Sequence, residues 1–193
     1  MSCVDDTDRY MPQKGIFSAP GLHPGRYFRM MFDDNGATSL EWYKKNHASE
    51  YSIQELLEMA ASVAPGCEGL TALPCTGRYP GLSGFESVNR IRYGHGHYVR
   101  ALLESTAHSL HRMVASMRKD SPVTAIVSSG GGSRSELWVA IKSAIINVPF
   151  YIPECTELAC LGAAMIGASG TGTFGSYHEI ANTWVRFAKK IDI

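Results

Sequence analysis

The chain has 193 residues, 45% of them apolar and 19% charged, with a formal net charge of zero. That length is enough for one well-filled domain with a small appendage, and the composition is that of an ordinary globular protein. A zero balance gives no basic footprint for nucleic acid and no polybasic patch for a membrane surface, and no apolar run reaches the length of a bilayer span. The first residues (MSCVDD) carry acids where a secretory leader carries bases, and five cysteines without a CxxC pair fit reduced thiols, so a cytoplasmic location is expected.

Residues 1–25 are rich in Asp, Pro and Gly and read as an irregular N-terminal arm, with the domain proper over residues 26–193. Residues 26–32 (RYFRMMF) have the composition of a strand. Asp34 or Asn35 is placed to cap a helix carrying Leu40, Trp42 and Tyr43. Ser52 and Glu55 form a capping box before Leu56, Leu57 and Met59. Residues 69–74 (GLTALP) are a short strand candidate, residues 76–84 a Gly/Pro loop, and residues 86–96 ambiguous.

Residues 97–119 are the clearest helix, with Val99, Leu102, Leu103, Thr106, Leu110, Met113, Val114 and Met117 along one face. Arg100, Glu104, His108 and Arg112 step along another and read as a solvated stripe. His95, His97, His108 and His111 lack a Cys or carboxylate set spaced to complete a metal site, so no metal centre is expected.

The most informative stretch is residues 125–138 (AIVSSGGGSRSELW). A short apolar strand runs into Gly130, Gly131 and Gly132, and Ser133 with Glu136 has the spacing of a capping box, so a helix is expected from Ser133. A strand, a glycine turn and a helix N-terminus together seat a phosphorylated ligand, because unpaired N–H groups and the positive dipole end meet there. The motif is neither GxxxxGK(S/T) nor GxGxxG, and the glycines alone are also compatible with a merely tight turn. Residues 148–152 (VPFYI) read as another strand, and residues 159–168 as a helix of small side chains. Ser176 and Glu179 form a further capping box for a terminal helix whose inner face is Ile180, Trp184, Phe187, Ala188 and Ile191. Strands alternating with helices define an α/β layer structure with some parallel strands.

Taken together, SGGGSRSELW, VPFYIPE and TELACLGAAMIGASGTGTF resemble the C-terminal domain of the FGGY carbohydrate kinases. Glu157, Leu161, Gly162, Ala163 and Ala164 match the family's E…LGAA element, with Cys160 in place of the usual Ala. HYVRALLE (97–104), LPCTGRYPG (73–81) and GRYFRMMFDDNGATSLEWY (25–43) are similar to earlier parts of that domain. The resemblance implies an actin-like ATPase (ribonuclease H-like) lobe, the C-terminal domain only, with its first strand or strands missing. It implies ATP and Mg²⁺ as cofactors and transfer of a phosphoryl group to a sugar hydroxyl; the xylulokinase-like look of GGGSRSELW points to a ketose such as xylulose.

Carried over residue by residue, Gly130, Gly131, Gly132, Ser133 and Ser135 would line the nucleotide, with Gly77 at the adenine pocket. Glu157, Gly162, Ala163 and Ala164 would form the element connecting the two lobes. The family's catalytic Asp and its glycine-threonine phosphate loop precede this domain. Residues 1–25 hold no such motif, and Asp5, Asp6 and Asp8 are not assigned catalysis. No catalytic residue is therefore expected here, the chain is expected to be inactive alone, and self-association through an exposed lobe interface is expected. The alternatives are a non-catalytic actin-like nucleotide-binding module and, less in keeping with the motif, a dinucleotide-binding domain.

Overall fold

The computed structural model describes residues 2–5, 15–21, 25–33, 36–73, 84–89, 92–117 and 122–193. The chain divides into two compact units, Met1–Val123 and Thr124–Ile193.

In the first unit, strands β1 (Ser2–Asp5), β2 (Phe17–Pro20) and β3 (Tyr27–Met30) form an antiparallel sheet in the order β1-β3-β2. Met30 stands opposite Ser2 on one side and Phe17 on the other. The stretch expected to be an irregular arm therefore contributes two strands. Ser-Cys-Val-Asp and Phe-Ser-Ala-Pro are too short and polar to announce themselves, and it is pairing with β3 on both edges that makes them strands.

Helix α1 (Ala37–His47) follows, with Gly36 at its N-cap and no side-chain cap bond; Asp34 and Asn35 lie outside the described residues. Helix α2 (Ile53–Ala61) opens on the expected capping box: Glu55 N–H donates to Ser52 Oγ at 3.2 Å, and Ser52 N–H donates to Glu55 Oε2 at 2.7 Å. Strands β4 (Leu70–Leu73) and β5 (Gly84–Ser87) pair antiparallel, so the ambiguous stretch 86–96 opens with the last two residues of a strand.

Helix α3 (His95–Met117) packs against α2 and β4. Its predicted stripe is the core of this unit: Val99, Leu102, Leu103, Thr106, Val114 and Met117 are buried, together with Leu56 and Ala60 of α2. The charged stripe is not uniformly solvated. Arg100 is buried, its Nε donates to Glu104 Oε1 at 2.9 Å, and its Nη1 reaches the Ala60 carbonyl at 3.4 Å. Glu104 also accepts from Gly66 N–H at 3.2 Å, so the pair fastens α3 to the end of α2. Only His108 and Arg112, two turns on, face solvent.

In the second unit, β6 (Ile126–Val127) and β7 (Phe150–Pro153) are parallel, and β8 (Phe187–Ile191) is antiparallel to β7, in the order β6-β7-β8. Helix α4 (Glu136–Ile146) joins β6 to β7. It ends on Asn147 in the left-handed region (φ 61°), and the buried Ser143 hydroxyl donates to the Val148 carbonyl at 2.7 Å. Trp138, Val139, Ile141, Ile146, Val148, Phe150 and Ile180 are buried.

Helices α5 (Leu158–Gly170) and α6 (Tyr177–Trp184) follow. Ser176 caps α6, accepting from Glu179 N–H at 3.2 Å, but the Glu179 carboxylate accepts from Gly175 N–H at 2.9 Å, so only half of the expected capping box forms. The terminal helix stops at Trp184, however, and Phe187, Ala188 and Ile191 belong to β8. Their i, i+3, i+4, i+7 spacing from Trp184 fits a helix face, but hydrogen bonding to the free edge of β7 decides otherwise. Among the described residues no helix is long and apolar enough to cross a membrane.

Candidate functional site

Strand β6 delivers the chain to the three glycines. Gly130 has φ 82° and ψ −170°, a conformation that side chains essentially exclude. Gly131–Ser133 make one 3₁₀ turn, in which Ser133 N–H donates to the Gly130 carbonyl at 3.1 Å and Arg134 N–H to the Gly131 carbonyl at 3.3 Å. The helix does not begin at Ser133. The Ser133 hydroxyl turns back to the Gly130 carbonyl at 2.7 Å, and Ser135 is the N-cap of α4, accepting from Trp138 N–H at 3.2 Å. The serine two residues later caps because the 3₁₀ turn has already used the first. Glu136, in the first turn of α4, is paired with Lys189 of β8.

The three glycines are glycine for different reasons. Gly130 is required by its backbone angles. A Cβ on Gly132 would lie 3.3 Å from the Trp138 ring and 3.4 Å from Lys142 Nζ, so packing keeps it small. Gly131 has no positive φ, and a Cβ there would meet nothing within 4 Å. Neither turn geometry nor packing asks for glycine at 131. What a bare backbone supplies there is room for something outside the fold to approach the chain.

Beneath the turn, Lys142 lies over the Trp138 ring, its Nζ 4.3 Å from the ring centroid. Burial pushes the Lys142 amine down from 10.5 to about 8. Trp138 and Lys142 are four residues apart, a spacing visible in the sequence, but only their closeness to Gly132 marks them out.

Of the other predicted site residues, Gly77 lies outside the described residues. Glu157 is the N-cap residue of α5 and makes no side-chain cap bond. Gly162, Ala163 and Ala164 lie within α5, a helix with no buried residue, and a Cβ on Gly162 would meet nothing within 4 Å.

The first unit carries a separate concavity of about 450 Å³, lined among others by Trp42, Tyr43, Phe85, His95 and Tyr98. Tyr43 Oη and His95 Nδ1 are 2.8 Å apart, and burial, then Tyr98 and Glu50, push the phenol up to about 12. Among the described residues, no predicted site residue lines this cavity. Its rings come from α1, β5 and α3, so no local motif reveals it. His97 faces Glu68 at 3.5 Å, while His108 and His111 are exposed on α3.

A second unit with a parallel strand pair, a glycine turn into a helix and an antiparallel third strand, and a first unit of helices with two small antiparallel sheets, are those of a mixed α/β lobe of the actin-like ATPase fold. Residues 25–171 match the C-terminal domain of the FGGY family of carbohydrate kinases. The chain belongs to that family and carries this domain. It is similar to a xylulose kinase of Bacillus subtilis (strain 168), 29% identical over 161 residues that cover 78% of this chain and 32% of the relative. It is 32% identical over 143 residues to an L-fuculokinase of Escherichia coli O157:H7, covering 72% and 30%. The crystal structure of a ligand-bound xylulose kinase from Lactobacillus acidophilus superposes with a TM-score of 0.85 at 19% identity, over 99% of this chain and 40% of that one. The chain thus spans about a third of the length of the curated relatives it matches.

Proposed function

We propose that this chain is the nucleotide-binding part of an ATP-dependent sugar kinase, in which the γ-phosphoryl group of ATP passes to a hydroxyl of a ketose such as xylulose or a related pentulose. In this reading the nucleotide lies along Gly130, Gly131 and Gly132, with Ser133 and Ser135 at its flank and Gly77 at its adenine. Glu157, Gly162, Ala163 and Ala164 form the connection to a second lobe. Mg²⁺, when bound with ATP, neutralises phosphate charge during transfer. No residue of this chain is given the part of the catalytic carboxylate, so the 193 residues alone bind nucleotide without turning it over.

The observation that carries the proposal is Gly131. It is the one glycine of the turn that neither its backbone angles nor its neighbours require, and it precedes the positive end of α4. The family and the naming of its relatives as sugar kinases supply the rest.

The test is calorimetric titration with ADP and Mg²⁺, with NAD as control, on the parent chain and on Gly131→Val. Because a Cβ at 131 meets nothing within 4 Å in the ligand-free fold, the variant should melt like the parent. ADP binding that Gly131→Val weakens at least about tenfold, with no NAD binding, supports the reading. Absence of ADP binding by the parent chain refutes it. A second arm adds pentulose and ATP to the chain alone, and sugar-dependent ADP formation would refute the assignment of catalysis to residues outside this chain.

A further inference from the structure

Lys142 is the one lysine of the second unit whose ammonium is withdrawn from water yet has no carboxylate partner among the described residues. It projects from α4 one turn beyond Trp138, and the indole face supports it at 4.3 Å. Its Nζ lies 3.4 Å from where a Cβ on Gly132 would stand, so the charge rests directly against the glycine turn. Among the described residues, the elements packed on α4 offer it no counter-charge. Beside the 3₁₀ turn, Arg134 is exposed and of the same sign. On β8, Lys189 is engaged by Glu136, the nearest acid of α4, and Lys190 by Asp192. Burial is the sole cause of the depressed amine. A withdrawn cation, partly compensated by an indole, is a costly thing to maintain for packing alone.

We infer that Lys142 is a binding residue for the anionic part of the ligand on the glycine turn, its ammonium forming the positive floor on which phosphate charge settles. The inference rests on the nucleotide reading above and adds a residue to it. In the ligand-free chain the amine is shared between charged and neutral forms near pH 8. A phosphate bound at the turn lies in its field at short range and draws the equilibrium to the ammonium. Binding of a phosphorylated nucleotide therefore takes up protons near pH 8, and binding of the nucleoside does not. Trp138 holds the lysine stem and fixes the charge beneath Gly132 instead of letting it swing into solvent.

The experiment titrates the chain with ADP plus Mg²⁺ and, separately, with adenosine at pH 8, in two buffers of different ionisation enthalpy, using the parent and Lys142→Gln. The expected result is uptake of about half a proton on ADP binding and none on adenosine binding by the parent. Lys142→Gln should abolish the uptake and weaken ADP about tenfold, while changing adenosine less than about twofold. Equal weakening of ADP and adenosine would make Lys142 a packing residue and overturn the inference. So would ADP binding without proton uptake that Lys142→Gln leaves unaltered, and in that case the nucleotide reading would survive. A parent chain that binds no ADP overturns both.

Discussion

Adding one methyl group at either of two glycines should move stability in opposite directions. Gly96 lies in the first turn of α3, where a Cβ would stand 2.6 Å from the Met59 carbonyl oxygen, 3.0 Å from its carbon and 3.2 Å from a Val63 methyl. The obstacle is backbone, so relief requires α2 to move away from α3. That interface buries Leu56, Ala60, Val99 and Leu103. Replacing an interior helical glycine by alanine gains up to about 1 kcal/mol of propensity, and less in a first turn. Overpacking a well-filled interface costs about 1–3 kcal/mol.

The clash prevails for Gly96→Ala, with a net loss of about 1–2 kcal/mol and a fall in melting temperature of about 2–8 °C for a chain of this size. Gly162→Ala, in α5, meets nothing within 4 Å and should raise stability by about 0.5–1 kcal/mol. Differential scanning calorimetry of the 193-residue chain reads both. A Gly96→Ala variant that melts at or above the parent would refute the close approach of α3 to Met59. A Gly162→Ala variant that melts below the parent would refute the openness of α5.

Glu104→Gln should cost about 2–3 kcal/mol, because it leaves the buried Arg100 guanidinium without its counter-ion; urea unfolding should show a lowered midpoint with an unchanged slope. Cys67 is buried beside Glu104, and burial first, then that carboxylate, push its thiol up to about 12. Mass spectrometry of the native chain treated with a maleimide at pH 8 should find Cys160 modified and Cys67 untouched. The unfolded thiol ionises from about pH 9, so Cys67 contributes stability that is lost as pH rises from there toward 12. Lys142 works with the opposite sign. Its folded amine is at about 8 against 10.5 unfolded, so the burial penalty is complete below pH 8 and is relieved between pH 8 and 10.5. Lys142→Gln should therefore melt higher than the parent at pH 7, by about 1–3 kcal/mol of stability, and the difference should shrink toward pH 10.5.

Local chemistry was legible where a few neighbouring residues settle the outcome. Ser52 with Glu55 fixes the start of α2, and the stripe from Val99 to Met117 fixes the buried face of α3. Pairing with distant residues was not legible. β1 and β2 exist because β3 offers two edges, and the residues after Trp184 form β8 because β7 has one edge left, although their spacing fits a helix equally well. Arg100 and Glu104 repeat four residues apart like any solvated pair, and only the arrival of Ala60 from α2 and of Gly66 from the turn that follows it makes them interior.

The glycine turn shows the same limit at a finer scale. As letters, Gly130, Gly131 and Gly132 are interchangeable, and a tight turn accounts for all three. In the fold, Gly130 answers to φ 82°, Gly132 answers to the Trp138 ring and Lys142, and Gly131 answers to neither. A residue that the ligand-free fold does not require is where a functional demand becomes separable from a structural one. Lys142 makes the complementary case, since its half-buried amine lowers the stability of the fold while nothing among the described residues of the second unit neutralises it. Substitution at 131 is expected to leave melting unchanged and weaken binding, whereas substitution at 142 is expected to raise melting and weaken binding. Destabilisation of the fold explains neither combination, so the two variants together separate a site from a turn.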